Sequence, residues 1–358
     1  MGWTTTATTR STSSLSVTDL SRQSARALRG LIASAWFIAN GLGCTAPSEQ
    51  TNDTGASSAA AWDDSKTIRE NCFPDVGEQA ESFALYDRFS PTIGRHCAGT
   101  DHQEIAAVEK VVFLGDSITA GTWPTPEEAY YRHQLTDRLQ ARFGPLEVSD
   151  CSEYGARTDD LLEHSNRQIT ECFNDLLSGE ATEDKRTLVI WTMGGNDLLA
   201  LGEDARNGAE RSELLAALDG IVEYQREALD FFKTQEATLF PAGVDVVFTN
   251  NYEYTDGTGD FASCPTAEAL GLDFDISSWA LGYLTINEAY MKMAVETQTD
   301  MVLMLEHFCG HGFHADDPEG GCYKGPDTPL YFDPTCIHPS EAGHTRLAEL
   351  FETVIVGE

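Results

Sequence analysis

Four short segments, far apart in the chain, carry residue types that together could perform nucleophilic catalysis. Ser117 follows the apolar run 111–114, and Gly155, Asn196 and His338 stand in three later segments. A serine hydroxyl is a weak nucleophile alone and needs a base, such as histidine, within hydrogen-bond reach. The negative charge that develops on the substrate oxygen needs hydrogen-bond donors, such as backbone N–H groups and a side-chain amide.

The same four segments resemble the sequence blocks of the SGNH hydrolase family, also called GDSL-type, which is named for its Ser, Gly, Asn and His. The blocks follow the family's order, with Gly-Asp-Ser at 115–117, Tyr-Gly at 154–155, Gly-Gly-Asn-Asp at 194–197 and His-Pro-Ser at 338–340. The resemblance covers residues 110–356. It implies an ester hydrolase that needs no cofactor.

The resemblance also implies a role for each of the four residues. Ser117 would be the nucleophile and His338 the general base. The backbone N–H groups of Ser117 and Gly155 and the side-chain amide of Asn196 would form the oxyanion hole. Each motif alone has a simpler alternative, because a serine often caps a helix that follows a strand and Gly-Gly-Asn-Asp can be a plain turn.

The acid of the predicted triad departs from the family pattern. The family usually has an Asp three residues before the catalytic His, where this chain has Thr335. Asp333 stands five residues before His338. Either Asp333 reaches the imidazole by a different loop path, or a backbone carbonyl near Thr335 orients the ring. We predict Asp333; the alternative is that Asp333-Pro334 only begins a turn.

Three further polar residues of the motifs are expected to be structural. Asp116 adjoins the nucleophile, and Asp197 is expected to be a helix N-cap. His344 lies within the predicted final helix.

Strand-like and helix-like segments alternate through the main body of the chain, which predicts a three-layer α/β/α sandwich with a five-stranded parallel sheet, the flavodoxin-like fold that the resemblance implies. The strand-like runs are 111–114, 146–148, 187–192, 244–249 and 301–305. The helix-like segments are 127–143, 158–177, 205–235, 278–297 and 340–351. Functional residues gather at the carboxyl ends of parallel strands, where three of the motifs fall.

Residues 1–44 have the pattern of an export signal. Arginines precede the apolar stretch 31–39, which is too short to span a membrane comfortably. The stretch runs into Gly-Leu-Gly-Cys at 41–44, which resembles a bacterial lipobox and predicts lipidation of Cys44. The alternative is ordinary signal-peptidase cleavage near Ala46. We therefore expect an exported protein, either a lipoprotein of the bacterial cell envelope or a secreted one.

The rest of the chain divides into three predicted regions. Residues 45–66 are rich in small polar residues and predict a flexible linker. Residues 67–109 are interpreted as an N-terminal extension packed on the main domain. Residues 110–358 form the predicted hydrolase domain.

The chain has nine cysteines, and setting Cys44 aside leaves eight, enough for four disulfides in an oxidising compartment. Sequence alone does not fix their connectivity. We favour pairing between neighbours in the sequence. These pairs are Cys72 with Cys97, Cys151 with Cys172, Cys264 with Cys309, and Cys322 with Cys336.

The formal net charge of -35 disfavours binding to nucleic acid or to an anionic membrane through a basic patch. The expected partner is a small-molecule or glycan ester, with membrane contact only through the lipid anchor, and the protein is expected to be a monomer. The main prediction is hydrolysis of small or soluble acyl esters. The alternatives are a carbohydrate acetylesterase and, less favoured, a non-catalytic surface lipoprotein.

Two long segments, 250–260 and 308–314, follow the fourth and fifth predicted strands and are expected to shape the substrate pocket. They contain acidic residues and histidines that could bind a metal. The spacing matches neither an EF-hand loop nor His-Glu-x-x-His, so no metal is expected. The candidate ligands in and after these segments are Asp256, Asp260, His311, His314, Asp316 and Asp317.

Overall fold

A computed structural model of the protein describes residues 102–162, 167–179, 181–270, 280–320 and 323–356. The predicted export signal, Cys44, the linker and most of the N-terminal extension lie outside the described residues. None of the helices within the described part has both the length and the apolar character needed to cross a membrane.

The described part of the chain contains five strands in one sheet: β1 (Lys110–Gly115), β2 (Glu147–Asp150), β3 (Thr187–Thr192), β4 (Val244–Thr249) and β5 (Asp300–Val302). All five are parallel, and their order in the sheet is β2-β1-β3-β4-β5. Strands β1, β3 and β4 are buried along their whole length, which explains their continuous apolar runs. The predicted fold class is therefore confirmed.

Helices connect and follow these strands. They are α1 (Ser117–Ala120), α2 (Tyr131–Phe143), α3 (Gln168–Cys172), α4 (Asn174–Leu177), α5 (Gly195–Arg206), α6 (Arg211–Leu239), α7 (Ala267–Leu270), α8 (Ala280–Thr297), α9 (Met304–Phe308) and α10 (Glu341–Val356). Short 3-10 turns lie at Glu127–Ala129, Thr158–Leu161 and Phe261–Ser263.

The helices cover both faces of the sheet. Phe113 of β1 meets Tyr131 of α2 edge-on, with ring centroids 6.3 Å apart. Trp191 of β3 meets Phe232 of α6 at 6.2 Å. Phe113 pairs in the sheet with Ile190, the neighbour of Trp191, so Phe113 and Trp191 point to opposite faces. Helix α10 packs beside α2 and α8 packs beside α6, which completes the two outer layers.

Three predicted elements differ from the structure. The helix expected at 158–177 is a 3-10 turn followed by α3 and α4. The helix expected at 205–235 is two helices, because the chain turns between α5 and α6 at Gly208, whose φ is +90°. Strand β5 ends at Val302, and the apolar residues after it form α9, which is buried throughout. Periodicity cannot separate a short buried strand from a short buried helix.

Residues 102 and 103, at the end of the predicted N-terminal extension, pack on the sheet. The side-chain amide of Gln103 donates to the carbonyl of Val246 at 2.7 Å and accepts from the N–H of Val246 at 3.0 Å. The backbone N–H groups of His102 and Gln103 donate to the carboxylate of Asp300. Gln103 therefore satisfies the backbone hydrogen-bonding groups of Val246 in β4, one residue before the pairing of β4 with β5 begins at Val247.

The disulfide between Cys151 and Cys172 is confirmed. Cys264 bonds to Cys336, so the predicted pairs that joined Cys264 to Cys309 and Cys336 to Cys322 are wrong. The loop before α10 folds against the loop after β4 and brings the Cα atoms of Cys264 and Cys336 to 5.8 Å, across 72 residues of sequence. Cys309 is disulfide-bonded as well. The predicted pair of Cys72 with Cys97 lies outside the described residues.

Candidate active site

Ser117 is the first residue of α1, directly beyond the carboxyl end of β1. The chain turns sharply at Gly115, whose φ is +124° and where an added Cβ would lie 2.5 Å from the carbonyl oxygen of Thr192. Asp116 is the N-cap of α1, and its carboxylate accepts from the N–H of Ile118 and the hydroxyl of Thr192, both at 2.9 Å. Asp116 therefore holds the turn that presents Ser117, in agreement with its expected structural role.

The imidazole of His338 lies against the hydroxyl of Ser117. Their Nε2 and Oγ atoms are 2.8 Å apart, although the two residues are 221 positions apart in the sequence. Burial lowers the pKa of His338 to about 4. The ring is therefore neutral at neutral pH, the state in which it can accept a proton.

The other ring nitrogen of His338 contacts a hydroxyl. Its Nδ1 atom lies 2.8 Å from Oγ1 of Thr335, and that oxygen lies 2.5 Å from Oδ1 of Asp333. The N–H of Thr335 donates to the same carboxylate oxygen at 2.7 Å. No hydrogen bond joins the carboxylate of Asp333 directly to the ring. The structure therefore differs from both expectations: neither Asp333 nor a backbone carbonyl contacts the imidazole directly. The side chain of Thr335 does.

This chain of contacts fixes the positions of the protons. An ionised carboxylate can only accept, so the Thr335 hydroxyl donates its hydrogen to Asp333. The Thr335 oxygen must then accept from the Nδ1–H of His338. Nε2 is consequently left with its lone pair toward Ser117, which is the tautomer that a general base requires.

Sequence reasoning missed the contact between Thr335 and His338. The signal was present, because Thr335 occupies the position three residues before the histidine where the family usually has its acid. A hydroxyl at that spacing can bond the ring, and Asp333, two residues earlier, can accept from the hydroxyl.

The two glycine-containing turns of the predicted oxyanion hole are joined by Asn196. Its Nδ2 atom donates to the carbonyl of Ala156 at 2.9 Å, beside Gly155, whose φ is +75°. Gly194, the N-cap of α5, has φ of +112°, and an added Cβ there would lie 2.8 Å from the side-chain amide of Asn251. An amide nitrogen has two hydrogens, so the bond to Ala156 leaves one N–H of Asn196 available.

Two other polar residues of the motifs have structural contacts. Asp197 is not the helix N-cap that we expected, since Gly194 holds that position. The carboxylate of Asp197 accepts instead from the N–H and the hydroxyl of Thr158, at 3.0 and 2.9 Å, and burial raises its pKa to about 6. His344 is buried in α10, where its Nδ1 accepts from the N–H of Tyr131 at 3.2 Å, as its expected structural role requires.

Ser117, His338 and Asn196 line one pocket with a volume of about 60 Å³. Pockets for drug-sized ligands typically have about 300–1,000 Å³, so this pocket suits a small group. Much of its wall is apolar. The apolar and aromatic side chains that line it include Ile118, Leu199, Tyr252, Tyr254, Phe261 and Met304.

Of the two segments that were expected to shape the pocket, one lines it directly and the other supports it from behind. Segment 250–260 contributes residues 251–254 directly to the pocket wall. Segment 308–314 lies behind it, where Phe308 stacks on Tyr252 with ring centroids 4.9 Å apart. The carboxylate of Asp256 joins the two segments by accepting from the backbone N–H groups of Gly310, Gly312 and His314 at 2.8 to 3.0 Å.

The candidate metal ligands do not converge. The carboxylate of Asp256 is bonded to backbone N–H groups, Nδ1 of His311 contacts the carbonyl of Pro329, and Nε2 of His314 contacts Asp260. Within the described parts of the chain, no group of three or more His, Cys, Asp and Glu residues is placed to hold a metal ion.

Comparisons with known proteins found similar solved structures and a matching family. One similar structure is a lipolytic protein of the G-D-S-L family from Veillonella parvula, with 15% identity over 70% of this chain and 99% of that chain, and a TM-score of 0.38. Another is the acetylxylan esterase Axe2 from Geobacillus stearothermophilus, with 18% identity over 71% and 96% of the chains and a TM-score of 0.43.

A third similar structure is the lipase Lip_vut3 from a goat rumen metagenome, with 15% identity over 69% of this chain and 97% of that chain, and a TM-score of 0.48. No curated protein matches the chain. The sequence profile of the GDSL-like lipase/acylhydrolase family matches residues 113–346, which is well over half of the chain. The protein therefore belongs to the GDSL-like lipase/acylhydrolase family, as its four sequence blocks predicted.

Proposed function

We propose that the protein is a serine ester hydrolase that cleaves esters of short acyl groups through an acyl-enzyme. The observation that carries this proposal is the 2.8 Å contact between Ser117 Oγ and His338 Nε2 at a pocket that Asn196 also lines. A nucleophile, its base and a hydrogen-bond donor within one pocket are the components that acyl transfer requires.

In the first half of the reaction, Nε2 of His338 takes the hydroxyl proton as Oγ of Ser117 attacks the ester carbonyl carbon. The oxyanion that forms would accept hydrogen bonds from the backbone N–H groups of Ser117 and Gly155 and from the remaining amide N–H of Asn196. The protonated imidazole then gives its proton to the leaving alcohol, and the acyl group stays on Ser117. In the second half, His338 activates a water molecule, which releases the acid and restores the serine.

Asp333 would act through Thr335 in this mechanism. When His338 becomes positively charged, its Nδ1–H remains bonded to the Thr335 oxygen, whose own hydrogen points to the carboxylate. Asp333 and Thr335 are therefore positioning residues, which hold the tautomer of the base and stabilise the imidazolium.

The volume of the pocket supports a short acyl group. At about 60 Å³ the pocket is far smaller than the roughly 300–1,000 Å³ of sites for drug-sized ligands, so an acetyl or butyryl group suits it better than an octanoyl chain. Leu199, Phe261 and Met304 give this space apolar walls suited to a hydrocarbon chain.

The test is hydrolysis of the p-nitrophenyl esters of acetate, butyrate and octanoate by the purified protein with its disulfides formed. We expect kcat/KM to be higher for acetate and butyrate than for octanoate. We expect Ser117→Ala to lower kcat by at least about 1000-fold, as loss of a catalytic nucleophile does. Unchanged melting of Ser117→Ala would show that the variant is folded. Equal turnover by folded Ser117→Ala would overturn the proposal.

We also propose that the protein is exported and held at the cell envelope through a lipid on Cys44. The N-terminal pattern supports export, as do the disulfides of the hydrolase domain, which are typical of oxidising compartments. Mass spectrometry of the mature N-terminus tests this proposal. A diacylated Cys44 would support it, and a mature chain that begins after Ala46 would indicate secretion instead.

A further inference from the structure

Two aromatic side chains stand out in solvent beside the catalytic motifs. Trp123 is 84% exposed and Tyr154 is 64% exposed, the largest values among the large hydrophobic residues of the described part of the chain. Exposed apolar surface of this kind often marks a place where a ligand binds. The mechanism above uses neither ring.

Trp123 lies on a short loop that is fixed at both ends to the catalytic machinery. At one end, the N–H of Gly121 donates to the carbonyl of Ser117 at 2.9 Å. At the other end, the hydroxyl of Thr125 donates to the carbonyl of Pro339, the residue after His338, at 3.4 Å. Trp123 therefore lies on the loop between the segment of the nucleophile and the segment of the base, outside the residues that line the pocket, and we call this exposed surface the rim.

Tyr154 belongs to the same rim. It directly precedes Gly155, and its hydroxyl donates to the carbonyl of Gly121 at 2.7 Å. This bond joins the loop of the predicted oxyanion hole to the loop of Trp123. The polar tip of Tyr154 is thus fixed while its ring remains largely in solvent.

We propose that Trp123 and Tyr154 form a platform for a neutral saccharide ring, which carries the ester as the alcohol part of the substrate. The inference rests on the proposed function, because it assigns the acyl part to the pocket and the alcohol part to the rim. Aromatic rings offer large, rigid apolar faces that can lie against the C–H face of a sugar. The substrate class is then a short acyl ester, such as an acetate, on a neutral oligosaccharide or polysaccharide.

The charge of the surroundings favours a neutral sugar over the other candidates. Glu127 and Glu128 follow the loop of Trp123 and are exposed, and Glu153 stands exposed beside Tyr154. Arg157 is the one cation in residues 121–129 and 152–158, and the nearby Arg132 is paired with Asp150 at 2.9 Å. Together with the net charge of -35, these carboxylates would repel an acidic polysaccharide or an anionic lipid surface.

The experiment compares acetylated cellohexaose and acetylated xylohexaose with p-nitrophenyl acetate. We expect Trp123→Ala and Tyr154→Ala each to lower the ratio of kcat/KM for the acetylated sugar to kcat/KM for p-nitrophenyl acetate by at least 10-fold. Leu177→Ala, which changes an exposed apolar residue on α4, is the matched control and should keep the ratio within twofold. Tyr154→Phe separates the ring from the hydroxyl, and it should keep most of the ratio if the ring is what the sugar contacts.

A binding measurement makes the test independent of turnover. Titration of Ser117→Ala with unmodified cellohexaose or xylohexaose should change the tryptophan fluorescence, and adding Trp123→Ala should abolish the change. An unaltered ratio in both alanine variants would overturn the inference, as would sedimentation with phosphatidylcholine vesicles that depends on Trp123. If no ester is cleaved in a Ser117-dependent manner, the proposed function fails first, which is a separate result.

Discussion

Thr335 places its hydroxyl oxygen 2.8 Å from Nδ1 of His338, on the side of the ring opposite Ser117. The family usually has a carboxylate at this sequence position. Here the carboxylate of Asp333 is one hydrogen bond further from the ring, which it contacts only through the Thr335 hydroxyl. The residues from 333 to 338 thus supply the proposed base, its positioning hydroxyl and the proposed acid from a single short loop.

The hydroxyl of Thr335 can be tested with an isosteric pair. Thr335→Val removes the hydroxyl at nearly constant volume, and we expect it to lower kcat by about 10- to 1000-fold, because the base loses its tautomer and orientation. Thr335→Ser keeps the hydroxyl and should stay within about 10-fold of the wild type. Steady-state kinetics on p-nitrophenyl butyrate measures both variants.

The dependence of Asp333 on Thr335 gives a second readout. If the carboxylate acts through the hydroxyl, Asp333→Ala combined with Thr335→Val should cost little more than the larger single loss, since residues that act as a unit are not additive. Thr335→Asp would place a carboxylate against Nδ1 and should recover part of the activity that Thr335→Val loses. Fully additive losses would contradict the action of Asp333 through Thr335.

The pH dependence of the reaction follows from the burial of His338. The reaction needs the neutral ring, and burial lowers its pKa to about 4, so the active form persists well below the ordinary pKa of 6.5. We expect kcat/KM to fall only when the pH approaches this lowered pKa, with a midpoint clearly below 6.5. Chromatographic detection of the released alcohol measures the profile at acidic pH. A midpoint at 6.5 or above would contradict it.

The disulfide between Cys264 and Cys336 is expected to matter for turnover. Cys336 stands between Thr335 and His338, and the hydroxyl of Thr266 donates to the carbonyl of Pro334, so this cross-link fixes the catalytic loop. Replacing both cysteines with serine should lower kcat by about 10-fold or more, in addition to a loss of stability of about 2–5 kcal/mol.

The disulfide between Cys151 and Cys172 provides the matched control. Cys151 and Cys172 join the end of β2 to α3, away from the loop of His338. Replacing this pair with serine should lower the melting temperature. At a temperature where both double variants are folded, it should lower kcat less than replacement of Cys264 and Cys336 does. Equal losses of kcat in the two double variants would show that the cross-link to Cys336 has no special role in the site.

A buried acid should make stability depend on pH. Burial raises the pKa of Glu306 to about 7, so the folded protein holds this proton more tightly than the unfolded chain. Its contribution to stability is therefore complete below its ordinary pKa of 4.5 and is lost as the pH rises through 7. His311, His338 and His344, whose pKa values burial lowers, have the opposite effect, but only up to their ordinary pKa of 6.5. Asp116, Glu253 and Glu306 titrate up to about pH 7, so we expect the melting temperature to fall between pH 5 and pH 8.

Glu306→Gln tests the source of this effect. The glutamine can still accept the hydrogen bond that Asn250 donates at 3.0 Å, but it does not titrate. Its melting temperature should fall less than that of the wild type over the same pH range. The difference between the two losses of unfolding free energy should be roughly 1–3 kcal/mol. Asp116 and Glu253, whose pKa values burial also raises to about 7, should leave a residual decrease. A decrease as steep as that of the wild type would contradict the assignment to Glu306.

The sequence predicted the order of strands and helices because buried parallel strands are continuous apolar runs, as in β1, β3 and β4. It placed Ser117 and His338 correctly relative to these elements. It could not reveal the contact of Thr335 with the ring, which depends on the path of six residues. Nor could it pair Cys264 with Cys336, because that bond depends on how two loops meet in space and not on their separation in the sequence.

The residues proposed for catalysis and part of the pocket wall come from different parts of the chain. The proposed catalytic residues follow β1 and β3 and lie on the loop before α10, whereas residues 251–254 of the pocket wall belong to the segment that Asp256 ties to residues 310–314. The two parts are nevertheless coupled, because Tyr252 of that segment donates its hydroxyl to the carbonyl of Ile337, the neighbour of His338, at 2.8 Å. A related chain that alters this segment to accept another substrate must therefore keep a contact of this kind with the loop of His338, which limits how far the pocket can diverge while the chemistry stays the same.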